Sequence, residues 1–190
     1  ADGPGAGASR TPVIRRRLDS SGVPDLEAFA ERARTTGRFG IDTEFMGEGR
    51  YQSLLCVVQI AVERPDGSVH VEVLDALDDG WDRRPLAALL ADPDIEVVVH
   101  AGRQDVALLR RTLDTEVRGL FDTQVAAGFT GRGAQLGYEA LLGDLLGVRL
   151  REPASFTRWD RRPLTAEQVQ YAREDVLHIL QLATALQEEL

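Results

Sequence analysis

The chain has 190 residues, enough for one ordinary domain and too few for two full ones, because a domain usually takes about 100 to 200. Its 43% apolar and 28% charged composition excludes disorder as a description of the whole and allows a sizeable core. A net charge of −9 argues against indiscriminate nucleic-acid binding, which grows with the number of phosphates neutralised, but leaves room for an acidic metal site flanked by local arginines. All 22 basic residues are arginine, and lysine and asparagine are absent, a bias expected of a GC-rich genome. No apolar run approaches the roughly 18 residues that cross a bilayer, so a soluble protein is expected. The single cysteine, Cys56, cannot form an intrachain disulfide; it reads as a small buried hydrophobe, compatible with a reducing cytoplasm.

Residues 1–12, rich in Gly, Ala and Ser and without an initiator Met, read as a flexible leader outside the fold. Leu26, Phe29, Ala30 and Ala33 recur at helical spacing behind Ser20 and Ser21, which predicts an amphipathic helix over 24–34 that Gly37 ends. Apolar segments follow at 38–45, 54–62 and 69–74, the last two joined by the turn Pro65-Asp66-Gly67, so a β-meander is expected. A helix over 81–90 is closed by Asp92-Pro93, and the short apolar run 95–99 has the character of a strand buried on both faces. Helical patterns then cover 104–112, 123–129 and 138–146. A long final helix over 165–186 is opened by Pro163 and by Thr165 three residues before Gln168, a capping-box spacing. Strands first and helices afterwards, with hairpin-like and crossover connections, predict an α/β fold with a mixed β-sheet flanked by α-helices.

Asp42 and Glu44 stand two apart on the first predicted strand, so both side chains leave one face of the sheet while Ile41, Thr43 and Phe45 leave the other. Two like charges so close need a cation, or one of them loses its charge. The same spacing recurs at Asp25/Glu27, Asp94/Glu96 and Asp114/Glu116, where solvated surface charge is the simpler account. Asp42 and Glu44 differ in ending a buried-looking strand ahead of the loop 47–49, and ligands tend to bind at strand ends. Asp105 follows the turn His100-Ala101-Gly102 at the start of a helix, where the helix dipole alone would favour an acid. Tyr171 and Asp175, four apart, share one face of the final helix, and Asp175 lies among Val176, Leu177 and Leu180. Together the four acids supply the hard oxygen ligands with which two Mg²⁺ or Mn²⁺ ions, about 4 Å apart, would clamp a phosphoryl displacement.

The segments Ile41-Asp42-Thr43-Glu44-Phe45, Val99-His100-Ala101-Gly102-Arg103-Gln104-Asp105 and Tyr171-Ala172-Arg173-Glu174-Asp175-Val176 resemble, in order and spacing, the three exonuclease motifs of the DEDD superfamily. The resemblance is greatest to the ribonuclease D family. Phe121-Asp122-Thr123-Gln124, Trp159 and Arg162-Pro163-Leu164 are similar to that family too, so the likeness runs from about Val13 to the C-terminus and implies one exonuclease domain over 13–190. It implies a ribonuclease H-like fold and 3′-to-5′ removal of nucleoside monophosphates from the 3′ ends of structured RNA such as tRNA precursors. By the same likeness Asp42, Glu44, Asp105 and Asp175 bind two divalent cations, Mg²⁺ or Mn²⁺. Tyr171, four residues before the last acid, orients the attacking water and places the chain in the tyrosine branch.

His100 is expected to support its turn rather than bind metal, because such a cluster prefers oxygen. His178 is expected to be a helix residue without chemistry, His70 a solvent-facing strand residue, and Asp122 the cap of the helix 123–129. Gln59 and Tyr51 match the family with structural roles expected, base stacking being a second role open to Tyr51. Arg149, Arg151, Arg158, Arg161 and Arg162 lead into the final helix and offer phosphates a positive approach, with a solvated face as the alternative. The sequence departs from the family in reading Arg151-Glu152-Pro153 where relatives often carry a lysine, and relatives commonly continue into helical nucleic-acid-binding domains. Two alternatives stand beside the RNA exonuclease: an exonuclease acting on DNA, since the acids ignore the sugar, and a nuclease-like module that binds without cutting.

Overall fold

A computed structural model of the chain describes residues 25–47, 49, 51–133, 135–150 and 158–190; the leader 1–12 and the Arg151-Glu152-Pro153 departure lie outside the described residues. Helix α1 (Leu26–Thr36) is capped by Asp25, whose carboxylate accepts from the Ala28 N–H at 3.0 Å, and Gly37 ends it at φ 74°, where a glycine meets no steric cost. Strands β1 (Arg38–Met46), β2 (Leu54–Glu63) and β3 (Val69–Asp75) form the expected antiparallel meander. Through α2 (Arg84–Ala91) the chain returns to β4 (Glu96–Val99), parallel to β1, and α3 (Arg103–Leu113) leads to β5 (Leu120–Asp122), parallel to β4. Strand β5 is not among the predicted elements, because three residues carry no period and Leu120 is exposed. Helices α4 (Thr123–Phe129), α5 (Tyr138–Leu146), α6 (Ala166–Leu177) and α7 (Ile179–Gln187) complete the chain.

The sheet runs β3-β2-β1-β4-β5, mixed and flanked by helices, as the ribonuclease H-like expectation requires. On one face Phe39, Ile41, Val58 and Ile60 pack with α1, α2 and Leu109 of α3. On the other, Ala61, Val71 and Val98 meet Val176, Ile179, Leu180 and Ala183, while Cys56, Val57 and Val73 meet Trp159, Leu164 and Ala172. Cys56 is buried, as expected.

The single final helix predicted over 165–186 is in fact two, broken at His178 (φ −110°, ψ 2°). No glycine or proline marks the break. Its reason is the sheet: α6 lies across β1, β2 and β3 whereas α7 lies across β1, β2 and β4, and one straight rod cannot follow both over a twisted surface. Ile179 enters where β1 has Gly40, at which a Cβ would come within 2.3 Å of Ile179 Cγ2. Among the described residues no helix is long and apolar enough to cross a membrane.

Candidate active site

Pairing of β1 with β4 stops at Gly40–Val98, and Asp42 to Glu44 run on past the end of β4, where the chain turns into α3. Alternation sends Phe39, Ile41 and the buried Thr43 one way and leaves Asp42 and Glu44 on the face that α6 covers. A β-bulge follows at once: the β1–β2 register shifts between Glu44 and Phe45, with Cys56 the extra residue on β2. Bulges recur beside active sites because they re-aim side chains. The Cys56 carbonyl accepts from the Ala76 N–H at 3.1 Å and from Arg162 Nη2 at 2.8 Å.

Arg162 also grips the Asp75 carboxylate through bonds of 2.5 and 2.6 Å and the Trp159 carbonyl at 2.7 Å. It therefore anchors the segment before α6 to the sheet instead of reaching for phosphate, which corrects the expected arginine approach at that residue. Arg158 is exposed and paired with Asp160, Arg149 and Arg161 are exposed, and Arg151 lies outside the described residues. The expected capping box is present: Thr165 Oγ1 accepts from the Gln168 N–H at 3.2 Å and Gln168 Oε1 from the Thr165 N–H at 2.9 Å. This sets the phase of α6 so that Ala172 and Val176 pack fully buried on the sheet, and Tyr171 and Asp175, one residue before each, come into the field of β1.

Burial comes first, and mutual repulsion second, in what the acids of β1 feel. Burial, then Asp175, Asp105 and Glu44, push the Asp42 carboxyl well above its ordinary value. Burial, then Asp175 and Asp105, push Glu44 up to about 8, and burial, then Glu174, pushes Asp175 up to about 7. Asp105 is raised by burial against the lowering effect of a hydrogen bond donated by the Thr43 hydroxyl. Burial, then Asp175, Glu44 and Asp42, raise the Tyr171 phenol, which keeps its proton. Three distant stretches of chain thus share one electrostatic neighbourhood, and among the described residues no ion pair engages any of the four acids. Asp42 and Glu44 lie deep, yet both keep part of their surface accessible. As the side chains stand, no three acidic, His or Cys groups among the described residues form a ready coordination shell, and the Asp105 carboxyl is engaged by Thr43. The donor set nevertheless fits a hard cation, being all oxygen, crowded and short of opposite charge.

Around this cluster His100 supports its turn as expected, its Nδ1 2.9 Å from Thr123 Oγ1, with burial pushing the imidazole down and so neutral. Asp122 caps α4, accepting from the Gln124 and Val125 N–H groups at 2.9 and 3.4 Å. His70 is not solvent-facing but half-buried, because it sits between Glu72 at 2.9 Å and Arg64 at 2.7 Å with the Phe29 ring of α1 6.4 Å away. Gln59 lies directly across from Asp42, wholly buried, with no hydrogen-bond partner among the described residues for either amide atom. The structural role expected of Tyr51 is not seen, since the ring is fully exposed. Tyr138 on α5 is a residue sequence reasoning missed: its enclosed phenol is raised by burial, then by Asp175 and Asp42, and its ring lies 5.5 Å from that of His100. No local signal marks it, for it reads as one more apolar position of its helix.

A model of the 3′–5′ exonuclease family matches residues 22–190. Ribonuclease D of Gluconacetobacter diazotrophicus is 40% identical over 166 residues, which is 87% of this chain and 41% of that protein. In fold the chain is similar to Escherichia coli RNase D, described as an exoribonuclease involved in structured RNA processing, with a TM-score of 0.77 and 32% identity over 86% of this chain and 42% of that one. It is also similar to Brucella melitensis NrnC, solved with bound Mg²⁺ (TM-score 0.65) and bound to pGG (TM-score 0.67), at 30% identity over 81% of this chain and 73% of that one. The chain thus spans about two fifths of the length of the curated relatives it matches.

Proposed function

Because this chain belongs to the 3′–5′ exonuclease family, we propose that it is a metal-dependent exoribonuclease of ribonuclease D type, whose domain over 13–190 releases nucleoside monophosphates from RNA 3′ ends, tRNA precursors among them, in the cytoplasm. The observation that carries this reading is that Asp42, Glu44, Asp105 and Asp175, drawn from β1, α3 and α6, share one electrostatic neighbourhood, with Tyr171 in the same field. RNA as substrate is supported by the relatives named ribonuclease D, and the metal by the Mg²⁺ of NrnC. The four acids would hold two divalent cations, Mg²⁺ or Mn²⁺, which when bound neutralise charge at the scissile phosphate and ease deprotonation of the attacking water. Tyr171, protonated throughout the working pH range, can hydrogen-bond that water and aim it. Asp175, one turn further along α6, lies on the same face, and the Arg162 anchor and the capping box hold both in place. The Thr43 hydroxyl holds Asp105 against β1.

The test is 5′-labelled RNA with a free 3′ end in the presence of Mn²⁺, which is expected to shorten stepwise from that end. Asp42→Ala and Asp175→Asn are expected to abolish shortening while RNA binding survives, and Tyr171→Phe to slow it by about 100-fold or more. Faster digestion of a matched DNA strand would overturn the RNA assignment. RNA bound but left intact by the wild-type protein would make the chain a binding module.

A further inference from the structure

Asp122 does more than cap α4. Its Oδ1 accepts not only from Gln124 and Val125 but also from the Ala101 N–H at 3.0 Å. Its Oδ2 accepts from the Gly102 N–H at 2.9 Å, 20 residues earlier in the chain, and serves no group of α4. Thr123 extends the hold: its hydroxyl donates to the Val99 carbonyl at 3.1 Å and, with that proton committed, accepts from His100 Nδ1 at 2.9 Å. Each residue of the turn 99–102 is therefore tied to the Asp122-Thr123 pair.

The turn needs such a hold. Ala101 sits at φ 53°, a left-handed conformation that a residue with a Cβ adopts at a cost. Gly102, the N-cap of α3, offers no side-chain cap, and a Cβ there would come within 2.6 Å of Val99 Cγ2. The start of α3 is thus capped by no side chain at its own N-cap, and Asp105 lies in that first turn. Capping α4 requires one carboxylate oxygen; the second is spent on the β4–α3 turn. We propose that Asp122 is a positioning residue for Asp105: by clamping the Ala101 and Gly102 amides to the end of β5, it sets where the first turn of α3 delivers the Asp105 carboxylate. This rests on the exonuclease reading only for the role of Asp105 as a ligand.

Asp122→Ser separates the two duties, because a serine hydroxyl still caps α4 but is a single, shorter acceptor that cannot hold both turn amides. In this variant, hydrogen exchange at Ala101, Gly102 and Val106 is expected to accelerate about tenfold or more while the amide of Val125 stays protected. Mn²⁺ affinity by calorimetry is expected to fall about 10- to 100-fold, in the direction of Asp105→Asn, with kcat reduced and KM for RNA unchanged. Asp122→Asn, which keeps one acceptor oxygen, is expected to fall between the two, and it carries the same readouts should the serine variant not fold. A purely structural cap would leave exchange at Ala101 and Gly102, and Mn²⁺ affinity, at wild-type values in both variants, and that result overturns the inference. Wild-type protein that left RNA intact would sink the exonuclease reading alone, since exchange in the turn decides Asp122 without it.

Discussion

Thr43 faces away from Asp42 and Glu44 along β1, into the larger core, and from there its hydroxyl donates to the Asp105 carboxylate arriving from α3. One side chain between two acidic residues of the strand thus governs a third acid. Thr43→Val keeps the shape and removes the donor, so the buried carboxyl loses the bond that offsets its desolvation. The variant is expected to lose about 1 to 3 kcal/mol in urea unfolding and to need about tenfold more Mn²⁺ for half-maximal RNA digestion; an unchanged metal requirement would remove Thr43 from the site. The same scale shows why Asp42 and Glu44 were legible and Tyr138 was not. A period of two is written into the strand whatever it packs against, whereas the Tyr138 phenol gains significance only from the His100 ring and the acids opposite it.

Among the elements, the break between α6 and α7 lets one helical segment carry Tyr171 and Asp175 over β1 to β3 and the next reach β4. The second segment docks because β1 has no side chain at Gly40. Gly40→Ala forces a methyl against Ile179 and is expected to lower stability by about 1 to 3 kcal/mol, read as a reduced denaturation midpoint. Digestion by the folded variant is expected to survive, since the α6 residues are held separately by Arg162 on Asp75 and by the capping box. Strand β5 makes the complementary point: three residues long, it is silent in the sequence, yet it carries Asp122 to the turn that starts α3.

At the scale of the molecule, the buried and crowded carboxylates link stability to pH. Glu44 rises from 4.5 to about 8 on folding and Asp175 from 3.8 to about 7, so in the absence of metal the folded state binds protons more tightly than the unfolded one. Their contribution is full below the unfolded values and is lost as pH rises through the folded ones. In EDTA the melting temperature is expected to fall between about pH 5 and pH 8, Mn²⁺ to restore it at the upper end, and Glu44→Gln to flatten the slope. A metal-free melting temperature that climbed over this window would show that folding neither buries these acids nor crowds them.

What the sequence determined by itself is local: the face shared by Asp42 and Glu44, the four-residue step from Tyr171 to Asp175, the capping box at Thr165, the meander and its turn, and the order of motifs that resembles ribonuclease D. These follow from the periods of strand and helix and from short-range hydrogen bonds, which hold wherever the segment is placed. Only the tertiary structure decided that acids from β1, α3 and α6 meet, that Arg162 turns inward to Asp75 87 residues away, and that the second oxygen of Asp122 serves a turn 20 residues earlier. Such pairings are chosen by how a twisted sheet packs its helices, and packing partners far apart in the chain leave no period for a sequence to display.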